Sequence, residues 1–326
     1  MNTDEQYMRR ALQIATWGAG KVAPNPMVGC VIVAQNRIIG EGWHLAYGQP
    51  HAEVNAVQSV KPIDAWLLPQ STFYVSLEPC NHTGNTPPCT ELLLQVRPAR
   101  VFVANLDCNP LVAGKGIACL REAGITVEVG VLQKEGEALN RRFFTYHTQK
   151  RPYIILKWAM TADHFIARSD YSSKWISSPQ ARQLVHQWRT EEQAIMIGMR
   201  TALHDNPTLT VRDYVGRNPI RILVGKPDRL PATAHIFNDE AETIHCNGSL
   251  STIMQDLYHQ RIISVLVEGG AMLLNSLLSE GFFDELRVFQ NPAITFGTGI
   301  PAPQVQGVLV HEEQISKNIL RIFKKN

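Results

Sequence analysis

The chain predicts an α/β protein built as two successive units. Three observations carry this. Short runs rich in β-branched residues alternate with amphipathic segments along all 326 residues. That length suits two domains of ordinary size. The alternation breaks at residues 148–152, TQKRP, a polar, basic stretch closed by proline, which reads as a linker between a domain at 1–147 and a second at 153–326. Apolar residues make up 44% of the chain, enough for a sizeable core in each.

The elements follow in order. Residues 4–17 place Met8, Ala11, Leu12 and Ala15 at helical spacing. After the loop GAGKVAPNPMVG come two strands, VGCVIV and RIIGEGW, with AQN as the turn between them. A helix at 51–60, a strand TFYVSLE and a helix CTELLLQV opened by Pro88 come next. RVFVANL is a strand, GIACLREAG a helix, ITVEVGVL a strand and EGEALNRRFFTYH a helix, which completes an α/β sandwich with a mixed sheet. The second unit reads as strand YIILKWAM, helix PQARQLVHQWRTE, strands QAIMIGM, PIRILVG and ISVLVEGG, helix AMLLNSLLSEG, strand DELRVFQNP and a last strand ILRIFKK. No fixed-period repeat relates the halves.

Charge narrows the partners. With 31 basic and 29 acidic side chains the net charge is +2, which gives no bulk argument for nucleic acid or an anionic membrane and leaves room for a local basic pocket for a small phosphate. The start of the chain lacks the order of a signal peptide, and no apolar run reaches the roughly 18 residues of a membrane span. A cytoplasmic protein is expected. There its six cysteines read as reduced thiols, metal ligands or catalytic groups rather than disulfides.

Chemistry concentrates in SLEPCNHTGNTPPC, residues 76–89, where Cys80 and Cys89 each follow a proline with eight residues between them. Upstream lies H-A-E, with His51 and Glu53 at the start of a predicted helix. One His, two Cys and a non-ligating Glu are the parts of a zinc nucleobase deaminase, although the usual spacing has two residues between the cysteines. One imidazole and two thiolates leave a fourth tetrahedral position for water, whose pKa the metal brings toward ~7. Glu53 is placed to carry the proton from that water to a ring nitrogen and then to departing ammonia. A cytosolic cysteine is more often a small core hydrophobe, and Cys30 and Cys119, in apolar runs, read that way. His82, inside the cysteine loop, reads either as a polar loop residue or as a substrate contact.

APNPMVG (23–29), GEGWHLAYGQPHAE (40–53), SLEPCNHTGNTPPC (76–89) and NPLVAGKG (109–116) resemble the deaminase half of the bifunctional riboflavin-biosynthesis deaminase–reductases. PYIILK, SKWISSPQAR, TALHDNPTLTVR and LVEGGAMLL resemble the second half. The resemblance implies a cytidine-deaminase-like α/β/α sandwich followed by a dihydrofolate-reductase-like α/β domain. It implies hydrolytic deamination of 2,5-diamino-6-(5-phosphoribosylamino)pyrimidin-4-one with one Zn²⁺ per chain, then reduction of the ribosyl group of the aminouracil product by NADPH. A homo-oligomer is expected. The zinc ligands would be His51, Cys80 and Cys89, with Glu53 catalytic and Asn25, His44 and His82 on the deaminase substrate. Lys157, Ser173, Arg189, Leu209, Arg212 and Glu268 would contact the reductase substrate. Met160, Trp175, Thr201, Asp205, Gly269, Gly270, Ala271, Met272, Leu273, Leu274, Asn275 and Ser276 would bind the cofactor. Two expectations are physical: Arg189 and Arg212 forking onto a phosphate, and bare N–H groups at Gly269–Gly270 meeting a pyrophosphate.

The chain departs from this family pattern at three places. Asn85 stands where a basic residue is common. Thr161-Ala162-Asp163-His164 replaces S-L-D-G, which predicts an altered turn for want of the glycine. Gly225-Lys226 stands where an Asp is usual. These departures keep two other readings open: a zinc deaminase of another nucleoside or of RNA, and a family member that has lost the reductase activity and only binds a ligand or partner.

Overall fold

The computed structural model describes residues 3–84, 86–109, 113–172 and 176–325. It divides into two compact units, Met1–Gln149 and Lys150–Asn326.

The first unit runs α1 (Thr3–Ala15), β1 (Gly29–Ala34), β2 (Arg37–Trp43), α2 (Ala52–Ser59), β3 (Thr72–Val75), α3 (Cys89–Val96), β4 (Arg100–Val103), α4 (Lys115–Glu122), β5 (Thr126–Val129), α5 (Gln133–Leu139) and α6 (Arg141–Gln149). Its five-stranded sheet has the order β2-β1-β3-β4-β5. β1 is antiparallel to β2 and β3, whereas β3, β4 and β5 run parallel. Gln35 and Asn36 both have positive φ, 51° and 58°, the geometry of a two-residue hairpin whose twist matches its strands. Both faces of β1 are covered, so its residues are all buried. Cys30 and Ile32 pack with Phe73, Val101 and residues of α2, α3 and α4. Val31 and Val33 pack with Tyr74, Phe102 and Met8, Ala11 and Leu12 of α1. Cys30 is therefore the core residue its apolar run predicts.

Two glycines bring helices close enough to build a site. A Cβ on Gly42 of β2 would stand 2.2 Å from the Ala56 nitrogen and 2.5 Å from the Ala52 oxygen, so α2 rests directly on the strand backbone. A Cβ on Gly116 would meet the Pro79 oxygen at 2.1 Å, which seats the start of α4 on the turn before Cys80.

The second unit runs β6 (Tyr153–Thr161), β7 (Phe165–Ala167), α7 (Pro179–Glu191), β8 (Ala194–Gly198), α8 (Met199–Asp205), β9 (Ile220–Val224), β10 (Thr243–Cys246), α9 (Leu250–His259), β11 (Ser264–Val267), α10 (Ala271–Ser279), β12 (Glu285–Asn291), β13 (Ile300–Pro301), β14 (Val308–Ile315) and β15 (Asn318–Lys324). The eight-stranded sheet has the order β10-β9-β8-β11-β6-β12-β15-β14, and β7 pairs with β13 apart from it. Its pairs are parallel from β10 to β12 and antiparallel at the β12-β15-β14 edge. Ile154, Leu156, Val265 and Val267 face one core, and Ile155 and Leu266 face the other. Ser178 caps α7 by accepting from the Ala181 N–H at 3.2 Å, with Pro179 as the first helical residue.

The structure departs from expectation in three respects. The helix predicted at 135–147 is two helices that break at Asn140. The Asn140 side chain accepts from the Met27 N–H and donates to the Met27 carbonyl, both at 2.8 Å, which pins the 23–29 loop. Thr148 and Gln149 of the expected linker are helical, and Arg151 is buried in an ion pair with Asp284 at 2.6 Å. The turn at 161–164 survives without glycine: His164 takes the left-handed conformation itself, φ 63°, its N–H donating to the Thr161 carbonyl at 3.1 Å.

Candidate active sites

In the first unit the zinc motif converges. His51 is the N-cap of α2, Glu53 lies in that helix's first turn and Cys89 opens α3. The donor atoms of His51, Cys80 and Cys89 all lie within 4.8 Å of one another. His51 Nδ1 stands 3.3 Å from Cys89 Sγ and 3.5 Å from Cys80 Sγ, and the Cys89 N–H donates to Cys80 Sγ at 3.3 Å. Tetrahedral zinc with ligand bonds of about 2.1–2.3 Å needs donors about 3.5 Å apart, so this set fits the ion.

Electrostatics agree with that fit. Hydrogen bonds from Cys89 and from His51 bring the Cys80 thiol down to about 4 against the cost of burial. The Cys89 thiol is pushed up, first by its hydrogen bond to Cys80 and then by burial. The pair thus shares a proton that a cation would displace. Glu53 is only 2% exposed, and burial followed by the nearby Cys80 charge raises its carboxyl above the ordinary value.

His44 is buried beside His51, the rings edge-on at 5.3 Å. Its Nδ1 lies 3.2 Å from the Pro50 carbonyl, which only accepts, and its Nε2 lies 3.3 Å from Asn25 Nδ2. These partners fix the neutral Nδ1–H tautomer, and burial lowers the ring's pKa in the same sense. His82 is exposed on the cysteine loop. Asn85 lies outside the described residues.

The second unit holds a cleft of about 1100 Å³ along the carboxyl ends of β8 and β11 and the side of β6. Ligands of open parallel sheets bind at such strand ends. Glu268, just after β11, is its electrostatic centre. Arg189 of α7 donates Nε to Oε1 at 2.8 Å and Nη2 to Oε2 at 3.1 Å, and Lys157 of β6 donates to Oε2 at 3.2 Å. The remaining Arg189 nitrogen, Nη1, donates to the Thr210 carbonyl at 2.9 Å. Burial opposes ionisation of Glu268, but the two cations outweigh it and hold the carboxyl well below the usual carboxylate range.

Residues 1–105 match the model of the cytidine and deoxycytidylate deaminase zinc-binding region, and 152–319 match the RibD C-terminal domain. The riboflavin biosynthesis protein RibD of Aquifex aeolicus is 41% identical over 321 residues, covering 91% of this chain and 89% of that protein. The chain belongs to the RibD family. RibD of Escherichia coli (strain K12) is 36% identical, with 89% and 88% covered. The solved structure of a diaminohydroxyphosphoribosylaminopyrimidine deaminase/5-amino-6-(5-phosphoribosylamino)uracil reductase from Thermotoga maritima matches with a TM-score of 0.92, 34% identity and 99% of each chain covered. Acinetobacter baumannii RibD, form 1, gives 0.91 at 34% identity, again with 99% of each covered. As a RibD protein, the chain is a bifunctional deaminase and reductase of riboflavin biosynthesis, with a zinc-dependent and an NADPH-dependent domain.

Most residues singled out for the RibD reductase half line the cleft: Lys157, Arg189, Arg212 and Glu268, then Thr201, Asp205, Gly269 to Leu274, and Ser276. Some do not. Met160 is buried in the core, and Leu209, also buried, packs with Ile195, Ile197 and Leu223. Asn275 is exposed on α10 outside the cleft lining. Ser173 and Trp175 lie outside the described residues. Two physical expectations are corrected. Arg189 is not a free fork, since its Nε and Nη2 both donate to Glu268. The Gly270 N–H is not bare, since it donates to Thr201 Oγ1 at 2.7 Å.

Sequence reasoning also missed Glu78, which sits inside the EPC motif. Its buried carboxylate accepts from four backbone N–H groups: Asp107 at 3.2 Å, Gly114 at 2.9 Å, Gly116 at 3.0 Å and Ile117 at 3.3 Å. An acidic residue between an apolar strand and a proline was the available signal.

Proposed function

We propose that His51, Cys80 and Cys89 hold the zinc and that Glu53 is the proton carrier of the deaminase reaction. The observation that carries this is the convergence of one imidazole and two thiols with a buried carboxylate on the same helix start. When bound, zinc supplies a water acidified toward a pKa of ~7. Glu53, whose carboxylate burial makes more basic, takes a proton from water and delivers it to the pyrimidine ring nitrogen, then takes the second proton from the hydroxyl added to the ring carbon and delivers it to departing ammonia. His44 orients the Asn25 amide through its Nε2 and so turns the Asn25 carbonyl oxygen toward a ring donor of the substrate. The substrate is the diaminopyrimidine phosphoribosyl compound, as for the Thermotoga protein.

In the second unit Lys157, Arg189 and Glu268 form the floor against which the aminouracil product sits, and NADPH supplies the hydride when bound. Lys157 and Glu268 face the opened sugar, Lys157 donating to its oxygens and Glu268 accepting from its hydroxyls. Thr201, Asp205 and the start of α10 shape the cofactor side. The near-neutral charge supports small-molecule ligands without nucleic acid. We read the protein as cytoplasmic, where cysteines serve as reduced thiols or metal ligands rather than in disulfides. We also read the protein as a homo-oligomer, with the exposed run Val308, Leu309 and Val310 on edge strand β14 as the surface to bury.

Product identification after incubation with the diaminopyrimidine tests the assignment. Without NADPH, ammonia and the aminouracil are expected. With NADPH, the ribityl compound should follow. Absence of ammonia would overturn the zinc-site reading, and NADPH oxidation that ignores the aminouracil would overturn the reductase reading.

A further inference from the structure

His186 belongs to none of the roles above. It is 4% exposed on α7, one turn before Arg189, and it lines the cleft. Its Nδ1 accepts from the backbone N–H of Arg212 at 3.1 Å, and Nε2 lies 3.6 Å from Asp213 Oδ2. An acceptor at Nδ1 fixes the proton on Nε2. Four charged groups surround the ring: Arg189 on its own helix, Arg212 and Asp213 on the facing segment, and Glu268 after β11. Burial first, then Arg189, bring its pKa down to about 4, so the imidazole is neutral when the enzyme works.

The bond matters because of what it holds. Arg212 is exposed at the cleft rim, and its guanidinium donates to Thr208 within its own segment. Beyond Arg212 the chain through Tyr214 and Val215 is exposed, Val215 to 94%. Val211 is held from the other side, its N–H donating to Asn218 at 2.8 Å. His186 therefore ties this rim segment to the buried Arg189–Glu268 cluster, through the residue that meets substrate.

We propose that His186 is a positioning residue for the reductase reaction, holding the backbone of Arg212 so that its guanidinium faces the phosphorylated substrate. The inference rests on the reading of Arg212 as a substrate contact. Losing one buried hydrogen bond to the backbone predicts about a tenfold rise in KM for 5-amino-6-(5-phosphoribosylamino)uracil in His186→Leu. The KM for NADPH and ammonia release by the other half should stay at parental values. In His186→Asn the amide oxygen occupies the place of Nδ1 and should restore KM. His186→Gln puts its amide near Nε2 instead and should behave like Leu.

The decisive measurement combines His186→Leu with Arg212→Ala in the full chain. If His186 acts through Arg212, the double variant has the KM of Arg212→Ala alone. Independent multiplication of the two effects would overturn the proposal. So would a parental KM in His186→Leu, or failure of Asn to rescue. Should the Leu variant not fold, the Asn and Gln variants carry the same contrast. If Arg212→Ala itself leaves KM unchanged, the reading of Arg212 fails, and the proposal with it. NADPH oxidation by the parent protein on this substrate is the control for the reductase assignment.

Discussion

The two sites differ in how they are assembled. In the first unit four side chains from two short motifs, at the starts of α2 and α3 and on the loop after β3, converge on one small volume. In the second, Lys157, Arg189 and Glu268 come from a strand, a helix and a strand end, up to 111 residues apart, and meet only because β6 and β11 are neighbours in the sheet. A metal site announces itself by residue type. A cofactor cleft is a product of topology, and its charged residues serve one another first.

The largest expected effect would separate the two. Glu53→Gln should lower ammonia release about a thousandfold, with zinc content by metal analysis and NADPH oxidation on synthetic aminouracil unchanged. A parallel loss of both activities would mean the sites are not separable in this way. Next is Glu268→Gln, which leaves the buried Arg189 and the half-buried Lys157 without their anion. It should cost about 3 kcal/mol of stability in urea unfolding, as well as reductase activity. The parent's pH profile sharpens this. The folded carboxyl of Glu268 is held well below its unfolded value of about 4.3, so its contribution is complete above that pH and fades as pH falls from there toward the folded value. The Gln variant should lack that acid limb. The smallest effect is His164→Gly, which relieves a positive φ and should raise stability by about 0.5 kcal/mol after the entropy of the added glycine is counted.

Legibility followed the same divide. The convergence of His51, Cys80 and Cys89 beside Glu53 could be anticipated because few residue types do that chemistry. The reductase residues could be read only through family resemblance, and there Met160 and Leu209 proved to be core. Helix α9 was overlooked despite a plain signal: Ser249 as cap, its hydroxyl accepting from the Thr252 N–H at 3.1 Å, and Leu250, Ile253, Met254 and Leu257 at helical spacing on the core. Strand β14 offered no signal, because an edge strand exposed on both faces need not alternate. The break at Asn140 was hidden because it serves a contact with Met27, distant in sequence. The family-based turn at 161–164 misled in the other direction: the hydrogen bonds of Asp163 to Thr161 at 2.6 Å and to the Gly297 N–H at 2.8 Å hold the turn whatever residue follows.

Glu78 bears on whether such a site could be moved to another scaffold. A graft of His51, Glu53, Cys80 and Cys89 alone would carry every donor and the proton carrier proposed above. It would leave behind the Glu78 carboxylate that fastens Asp107 and the start of α4 to the turn carrying Cys80, and the glycine at 116 that lets α4 touch that turn. The minimal transferable unit is therefore not the residues that meet the metal but those residues together with an anion that never approaches the reaction. A scaffold lacking its four amide partners would have nothing to hold it.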